Sequence, residues 1–349
     1  MLVKSLHLNE YRNYSNNYFE FDPNLNIIIG KNGIGKTNIL ESIIVVSNTK
    51  SFRTLNDIDL IKKDSEYLKI ELESDEYNFK VVINQKQKSL YLDDKHVKKS
   101  SEYIGKLNAI LFKPSDLQLF SDPPSERRKI LDLEIGKINK QYLYAELKYN
   151  SLLKDKNKLL KELEIDKTLL DIINESMVPQ IQIIINERTK FIDFINQYIS
   201  DYYQKISNSN SKIKIIYKKC CEIDDIKNSL DNALTNDYYY HYATLGPHRE
   251  NYYFLIDDDN LNNIASQGQK RMVLIAFKFA LIKYIEEYTK VTPIILLDDI
   301  MSELDKDNQE RLIDILPDNA QIIITTTDID KINITKKYKL IELKEEEDV

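Results

Sequence analysis

The sequence predicts an α/β fold whose two halves are separated along the chain by a helical insert. Three observations predict it. The apolar run Leu25 to Ile29 ends in a glycine-rich loop that opens a helix. A second apolar run, Pro293 to Leu297, ends far downstream in two carboxylates, Asp298 and Asp299. Between them, from Ser125 on, the hydrophobic spacing changes from a period of two to a helical one. A length of 349 residues suits two units at about 100–200 residues each.

In chain order, Leu2 to Leu8, Tyr18 to Phe21 and Leu25 to Ile29 read as strands, the last one buried. Lys36 to Val46 carries Ile39, Leu40, Ile43 and Ile44 at helical spacing. A meander follows, with Leu68, Ile70 and Leu72, then Phe79, Val81 and Ile83, then Leu90 and Leu92 each alternating. Helices are expected over 125–135, 142–163 and 168–206, the last broken or kinked at Pro179. Strand 252–256, helix 267–287, strand 293–297, helix 309–316 and strand 321–325 complete the pattern, and the acidic tail 345–348 reads as disordered. The expected division is 1–113, a helical arm at 114–237, and 238–349.

Composition narrows the function. A net charge of −7 excludes a coat of positive charge for nucleic acid and leaves room only for local basic patches. The two cysteines, Cys220 and Cys221, are neighbours without metal-ligand spacing, which points to the reducing cytoplasm. The N-terminal residues do not read as a signal peptide, and the apolar region 272–285 is interrupted by Lys278 and Lys283, so no membrane span is expected. Glycine is scarce at 7 residues, yet Gly30, Gly33 and Gly35 fall within six positions, where backbone must approach something closely.

Gly30, Lys31, Asn32, Gly33, Ile34, Gly35, Lys36 and Thr37 fit G-x-x-x-x-G-K-[ST], after a buried strand and before a helix. Together with Asn38 they form the candidate cradle for the phosphates of ATP. Loop N–H groups and the helix N-terminus favour the anion, Lys36 reaches the β- and γ-phosphates, and the Thr37 hydroxyl binds Mg²⁺. Asp298 is the second candidate Mg²⁺ residue and Asp299 the candidate for polarising the attacking water. The alternative for this pair is an acidic cap on the next helix.

Ser266, Gln267, Gly268 and Gln269 open the long helix before the acidic strand. Ser266 and Gln269 fit an S-x-x-Q capping box, the plainer reading. The sharper one is a phosphate-binding helix start that meets the nucleotide of a second copy, which implies a two-fold homodimer.

The order P-loop, S-x-G-Q helix, acidic strand and Ser302-Glu303-Leu304-Asp305 resembles the SMC-like branch of ABC-type ATPases, and the chain as a whole resembles the RecF family. Supporting stretches are Glu10 to Tyr14, Leu111 to Leu117, Pro124 to Asp132, Gly246 to Arg249 and Thr325 to Thr327. The resemblance implies an ABC-type ATPase head, split in sequence, with an inserted helical arm. It further implies an ATPase, slow by the short reach of Asp299, that dimerises on binding ATP, binds single-stranded, double-stranded or gapped DNA, and works with RecR and RecO to load RecA at single-strand gaps. It assigns Arg12 as a nucleotide contact, Ser266, Gly268 and Gln269 as contacts in trans, and Asp305 as a dimer-facing residue.

Some residues depart from the family pattern. Asp299 stands where many ABC ATPases have Glu, Ala265 where a larger apolar residue is expected, Lys270 where Gln is usual, and Glu10 where Asn is more frequent. Gln118 is a weak candidate for the γ-phosphate-sensing glutamine. A transporter-type ATPase would carry a histidine near Thr325 to Thr327 and a shorter insert, and an SMC-like structural DNA clamp would carry a longer heptad arm. Basic clusters at 62–63, 95–99, 127–129, 154–158 and 212–219 are candidate DNA contacts or simply solvated faces. His248, in its Gly246-Pro247 setting, is the histidine singled out for a role.

Overall fold

The computed structural model describes residues 1–329, 334 and 336–344; the acidic tail expected to be disordered lies outside them. The chain divides into two compact units. The first holds Met1–Asp116, Lys205–Ser207 and the chain from Ile285; the second holds Leu117–Gln204 and Asn208–Tyr284.

In the first unit, β1 (Val3–Tyr11), β2 (Tyr14–Glu20) and β3 (Leu25–Ile29) precede α1 (Lys36–Asn48). Then come β4 (Tyr67–Ser74), β5 (Asn78–Asn84), β6 (Lys88–Leu92), β7 (Lys95–Val97), α2 (Ser100–Tyr103) and β8 (Ala109–Phe112). The second unit contributes α3 (Pro124–Ile138), α4 (Lys140–Leu159), most of α5 (Lys167–Ser207), β9 (Ile213–Lys218) and α6 (Ile226–Tyr240). It continues with β10 (Asn251–Ile256), β11 (Asp259–Asn260), α7 (Leu261–Ile264) and most of α8 (Gln267–Thr289). The chain then returns to the first unit through β12 (Ile294–Asp298), α9 (Lys306–Ile315), β13 (Ile322–Thr326) and β14 (Lys339–Glu342).

Two sheets build the first unit. One is antiparallel, in the order β2-β1-β4-β5-β6-β7, and its alternating strands turn one face inward. The other is parallel, in the order β14-β3-β13-β12-β8. Its central strands are buried on both faces, which is why they read as unbroken apolar runs. Helix α1 touches β4 and β5 of the first sheet and β8, β12 and β13 of the second. Sandwiched in this way, it buries ten of its 13 residues, including the charged Glu41. Gln321 stitches the layers together, its side chain accepting from the Val3 N–H and donating to the Val3 and Asp22 carbonyls.

The second unit is the helical arm with a small antiparallel sheet, β11-β10-β9. Helix α5 does not break at Pro179, one of the two outcomes expected there. Proline removes one hydrogen bond there, but Met177, Ile181, Ile184 and Ile185 are fully buried and hold both sides of the turn. The second unit also extends to Tyr284, beyond the expected boundary at residue 237. Strand β10 pairs with β9 along its whole length, and this pairing draws the chain beyond 237 into the arm. Among the described residues no helix is long and apolar enough to cross a membrane.

Candidate nucleotide site

Because the second sheet is parallel and in register, the ends of β3, β13 and β12 fall on one edge, with Ile28 beside Thr325 and Thr325 beside Asp298. Ligands of open α/β sheets sit at this carboxyl edge. The loop from Gly30 to Gly35 leaves that edge and enters α1. Gly35 caps the helix at φ 117°, and a β-carbon there would stand 2.7 Å from the Asn13 side chain and the Tyr14 hydroxyl. Only glycine fits this position. Helix α1 has neither a side-chain cap nor an acidic residue in its first turn, so its N-terminal N–H groups and dipole remain available to an anion.

The Lys36 ammonium is largely buried and donates to the carbonyls of Gly30 at 2.6 Å and Lys31 at 2.9 Å. Burial lowers its pKa, and the charges of Asp299 and Asp298 work against that shift. The Thr37 hydroxyl donates to Asp298 Oδ1 at 2.9 Å, closing a gap of 261 residues in sequence. The Thr325 hydroxyl donates to the same oxygen at 2.9 Å, and its oxygen accepts the Asp299 N–H at 3.0 Å. Burial raises the Asp298 pKa, the two threonine hydroxyls oppose the shift, and the Asp299 charge adds to it. Asp299 takes a left-handed backbone, φ 52°, and its Oδ1 is buried without a hydrogen-bond partner among the described residues.

A second ring of contacts fixes the loop from the outside. Asn13 donates to the Ile34 carbonyl and accepts from Asn38, whose own oxygen accepts from Arg53. Arg12 grips the buried Glu41 with two hydrogen bonds, 2.9 and 2.7 Å, and donates to the Asp59 carbonyl. Glu41 also takes Ser51 and pairs with Arg53 at 3.5 Å. The structure thus ties Arg12, expected at the nucleotide, to a carboxylate on α1. Asn13, Glu41, Arg53 and Thr325 were not predicted as site residues. Glu41 drew no reading in the sequence, although its position among Leu40, Ser42 and Ile43 was a readable sign of burial.

The S-x-G-Q segment belongs to the second unit. The capping box is real: Gln269 accepts the Ser266 N–H at 2.9 Å, and the Ser266 hydroxyl accepts the Gln269 N–H at 3.2 Å. Ser266 through Gln269 are all exposed. A β-carbon on Gly268 would meet only Ser266 Oγ, at 3.9 Å, so nothing within the chain requires glycine there. Asp305 caps α9, with both its oxygens on Asn308. Gln118 sits exposed on a short 3₁₀ turn. His248 bridges the Tyr149 hydroxyl and the Ala243 carbonyl, and burial lowers its pKa to about 4, so it is a neutral fastening of the arm. The 127–129 cluster is likewise engaged internally, Arg127 with Asn251, Arg128 with the Glu250 carbonyl and Lys129 with Glu126.

A P-loop threonine bonded to the carboxylate of a distant strand, with a helical arm between them in sequence, defines an ATPase head of the SMC-like ABC type. The RecF/RecN/SMC N-terminal domain matches residues 2–348. The DNA replication and repair protein RecF of Lachnoclostridium phytofermentans is 33% identical over 98% of each chain. That of Lactobacillus acidophilus is 36% identical over 97% of this chain and 96% of its own. A solved structure of the recombination mediator protein RecF with ATP, in the RecFOR pathway, matches with a TM-score of 0.88 at 30% identity, covering 95% of this chain and 94% of that one. The Smc head domain of Pyrococcus furiosus shares the fold at a TM-score of 0.55 and 19% identity, over 95% of this chain and 90% of its own. This chain belongs to the RecF family.

Proposed function

We propose that the chain is an ATP-dependent, DNA-binding, dimerising ATPase of recombinational repair and replication. It acts with RecR- and RecO-type partners to promote RecA loading at single-strand gaps. The observation that carries the ATPase reading is the bond of Thr37 and Thr325 to one oxygen of Asp298. Two protein oxygens of hard character, the Thr37 hydroxyl and the Asp298 carboxylate, suit Mg²⁺, whose role there is to neutralise charge on the phosphate oxygens. Lys36 binds phosphate by trading the Gly30 and Lys31 carbonyls for phosphate oxygens. The unpartnered Oδ1 of Asp299 is free to orient water, and its side chain, one methylene shorter than Glu, fits slow, switch-like turnover.

The uncrowded glycine at 268 supports a contact made by a second copy, since a glycine in a helical first turn weakens the helix and the chain itself has no use for it. The DNA and partner reading is supported by the names of the relatives, DNA replication and repair proteins of a RecFOR pathway. The test is ATP binding and DNA-stimulated hydrolysis of the full chain. Hydrolysis that rises with gapped DNA and vanishes in Asp298→Asn supports the reading; turnover indifferent to both contradicts it.

A further inference from the structure

The end of α6 and the turn after it carry Tyr238, Tyr239, Tyr240, His241 and Tyr242 in one run. Tyr239 is 77% exposed, Tyr240 51% and Tyr242 39%. An aromatic ring left in water adds little to folding, so a group of them calls for another explanation. The rings form a row: Tyr239 meets Tyr240 edge to face at 4.9 Å, and Tyr240 lies 5.7 Å from Tyr242 with their planes 27° apart. The Arg249 guanidinium covers the Tyr242 ring at 4.9 Å, a cation–π contact that ends the row in a positive charge.

This row is held rigidly. Asp237, just before it, forms a fully buried ion pair with Lys156 of α4 at 2.7 Å and accepts both the Thr244 N–H and hydroxyl. His241 Nδ1 bonds the Leu160 carbonyl, and the Ala243 N–H donates to Asn157 Oδ1 at 2.7 Å. The row is therefore pinned to the C-terminal end of α4. There, Lys154 and Lys158 are exposed at i and i+4 and share one stripe of α4, and Lys161 is exposed in the turn that follows it. By helical spacing Asn157 borders this stripe on one flank and Asp155 on the other, so the tyrosines approach the basic stripe from the side away from the acid.

The geometry points to a stacking platform for the unpaired bases of single-stranded nucleic acid, with Lys154, Lys158, Lys161 and Arg249 serving its phosphates. The assignment rests on the DNA-binding reading above and gives it a site and a strand form. Stacking needs an uncovered base face, which a single strand presents and a duplex hides; contiguous rings beside cations are the usual means of holding one without regard to sequence. A positive rim on a chain of net charge −7 is a local exception that suits a polyanion.

The test is fluorescence anisotropy of the full chain with a labelled oligothymidylate and with a blunt duplex of equal length. Tyr240→Ala/Tyr242→Ala should weaken single-strand affinity about tenfold or more and leave duplex affinity in place. Tyr240→Phe/Tyr242→Phe should restore it, because the ring and not the hydroxyl stacks. Wild-type affinity in the alanine variant would assign the row to a protein partner and overturn the proposal. So would an equal loss on both DNA forms. A wild-type chain that binds duplex but no single strand would overturn the platform alone, and one that binds neither would overturn the DNA reading as well.

Discussion

At the scale of single residues, the site depends on buried groups whose proton affinity and hydrogen bonds are set by the protein in place of water. Among the described residues Lys36 bonds only to loop carbonyls, so Lys36→Ala should abolish ATP binding in a calorimetric titration while thermal unfolding stays nearly as it was; unchanged ATP affinity would sink the P-loop assignment. Asp298 predicts a pH-dependent stability. Its folded pKa lies above the ordinary 3.8, so the folded state holds the proton more tightly than the unfolded chain does. The ionised group is thus a burden that grows as pH rises from 3.8 to the raised folded value and is full above it. Asp298→Asn should therefore melt higher than wild type at pH 7, lose that advantage in acid, and fail to hydrolyse ATP; a lower melting point at pH 7 would contradict it. Glu41→Ala strands the partly buried Arg12 and should cost about 2–3 kcal/mol in denaturant unfolding. These roles were unequally legible. Lys36 and Thr37 belong to a motif whose spacing is that of a phosphate-binding loop, and Asp298 ends an unbroken apolar run. Thr325 and Asn13 serve by position in the folded chain, and nothing in their local spacing announces it; Glu41 was marked only by the apolar residues beside it.

At the scale of elements, what could be read was what is buried on a regular period. Strands β3, β12 and β13 and helix α1 follow from their apolar runs because the parallel sheet covers both faces of each strand. The sheet's edge strands, β8 and β14, escaped. Each has only four residues, and in β14 Lys339 and Glu342 flank Leu340 and Ile341, which leaves little pattern to detect. Helix α6 was hidden by its polar content, although its buried residues Ile226, Leu230, Ala233 and Asp237 fall at helical spacing. The bridge that His248 makes between Tyr149 of α4 and the Ala243 carbonyl predicts a second pH effect. His248 titrates near 6.5 when unfolded and at about 4 when folded, so it stabilises the neutral protein and that stability is lost as pH falls from 6.5 through about 4. The loss should approach about 3 kcal/mol in denaturant melts across that window, and His248→Gln should flatten it. An equal slope in the variant would place the acid sensitivity elsewhere.

At the scale of the whole molecule, the chain carries an exposed helix start that its own fold explains only as a cap. Gly268→Ala should leave the free monomer intact or firmer by about 0.5 kcal/mol, since alanine is the better helix former and the space is open. The same change should weaken ATP-induced association, because a second copy's nucleotide would meet the added methyl group. The central claim, that ATP joins two copies through Ser266 to Gln269, is tested most directly by mass in solution. Light scattering with and without ATP and Mg²⁺ should show a monomer that becomes a dimer only with nucleotide. A monomer under both conditions, with ATP tightly bound, would contradict the account and leave Ser266 as a helix cap and nothing more.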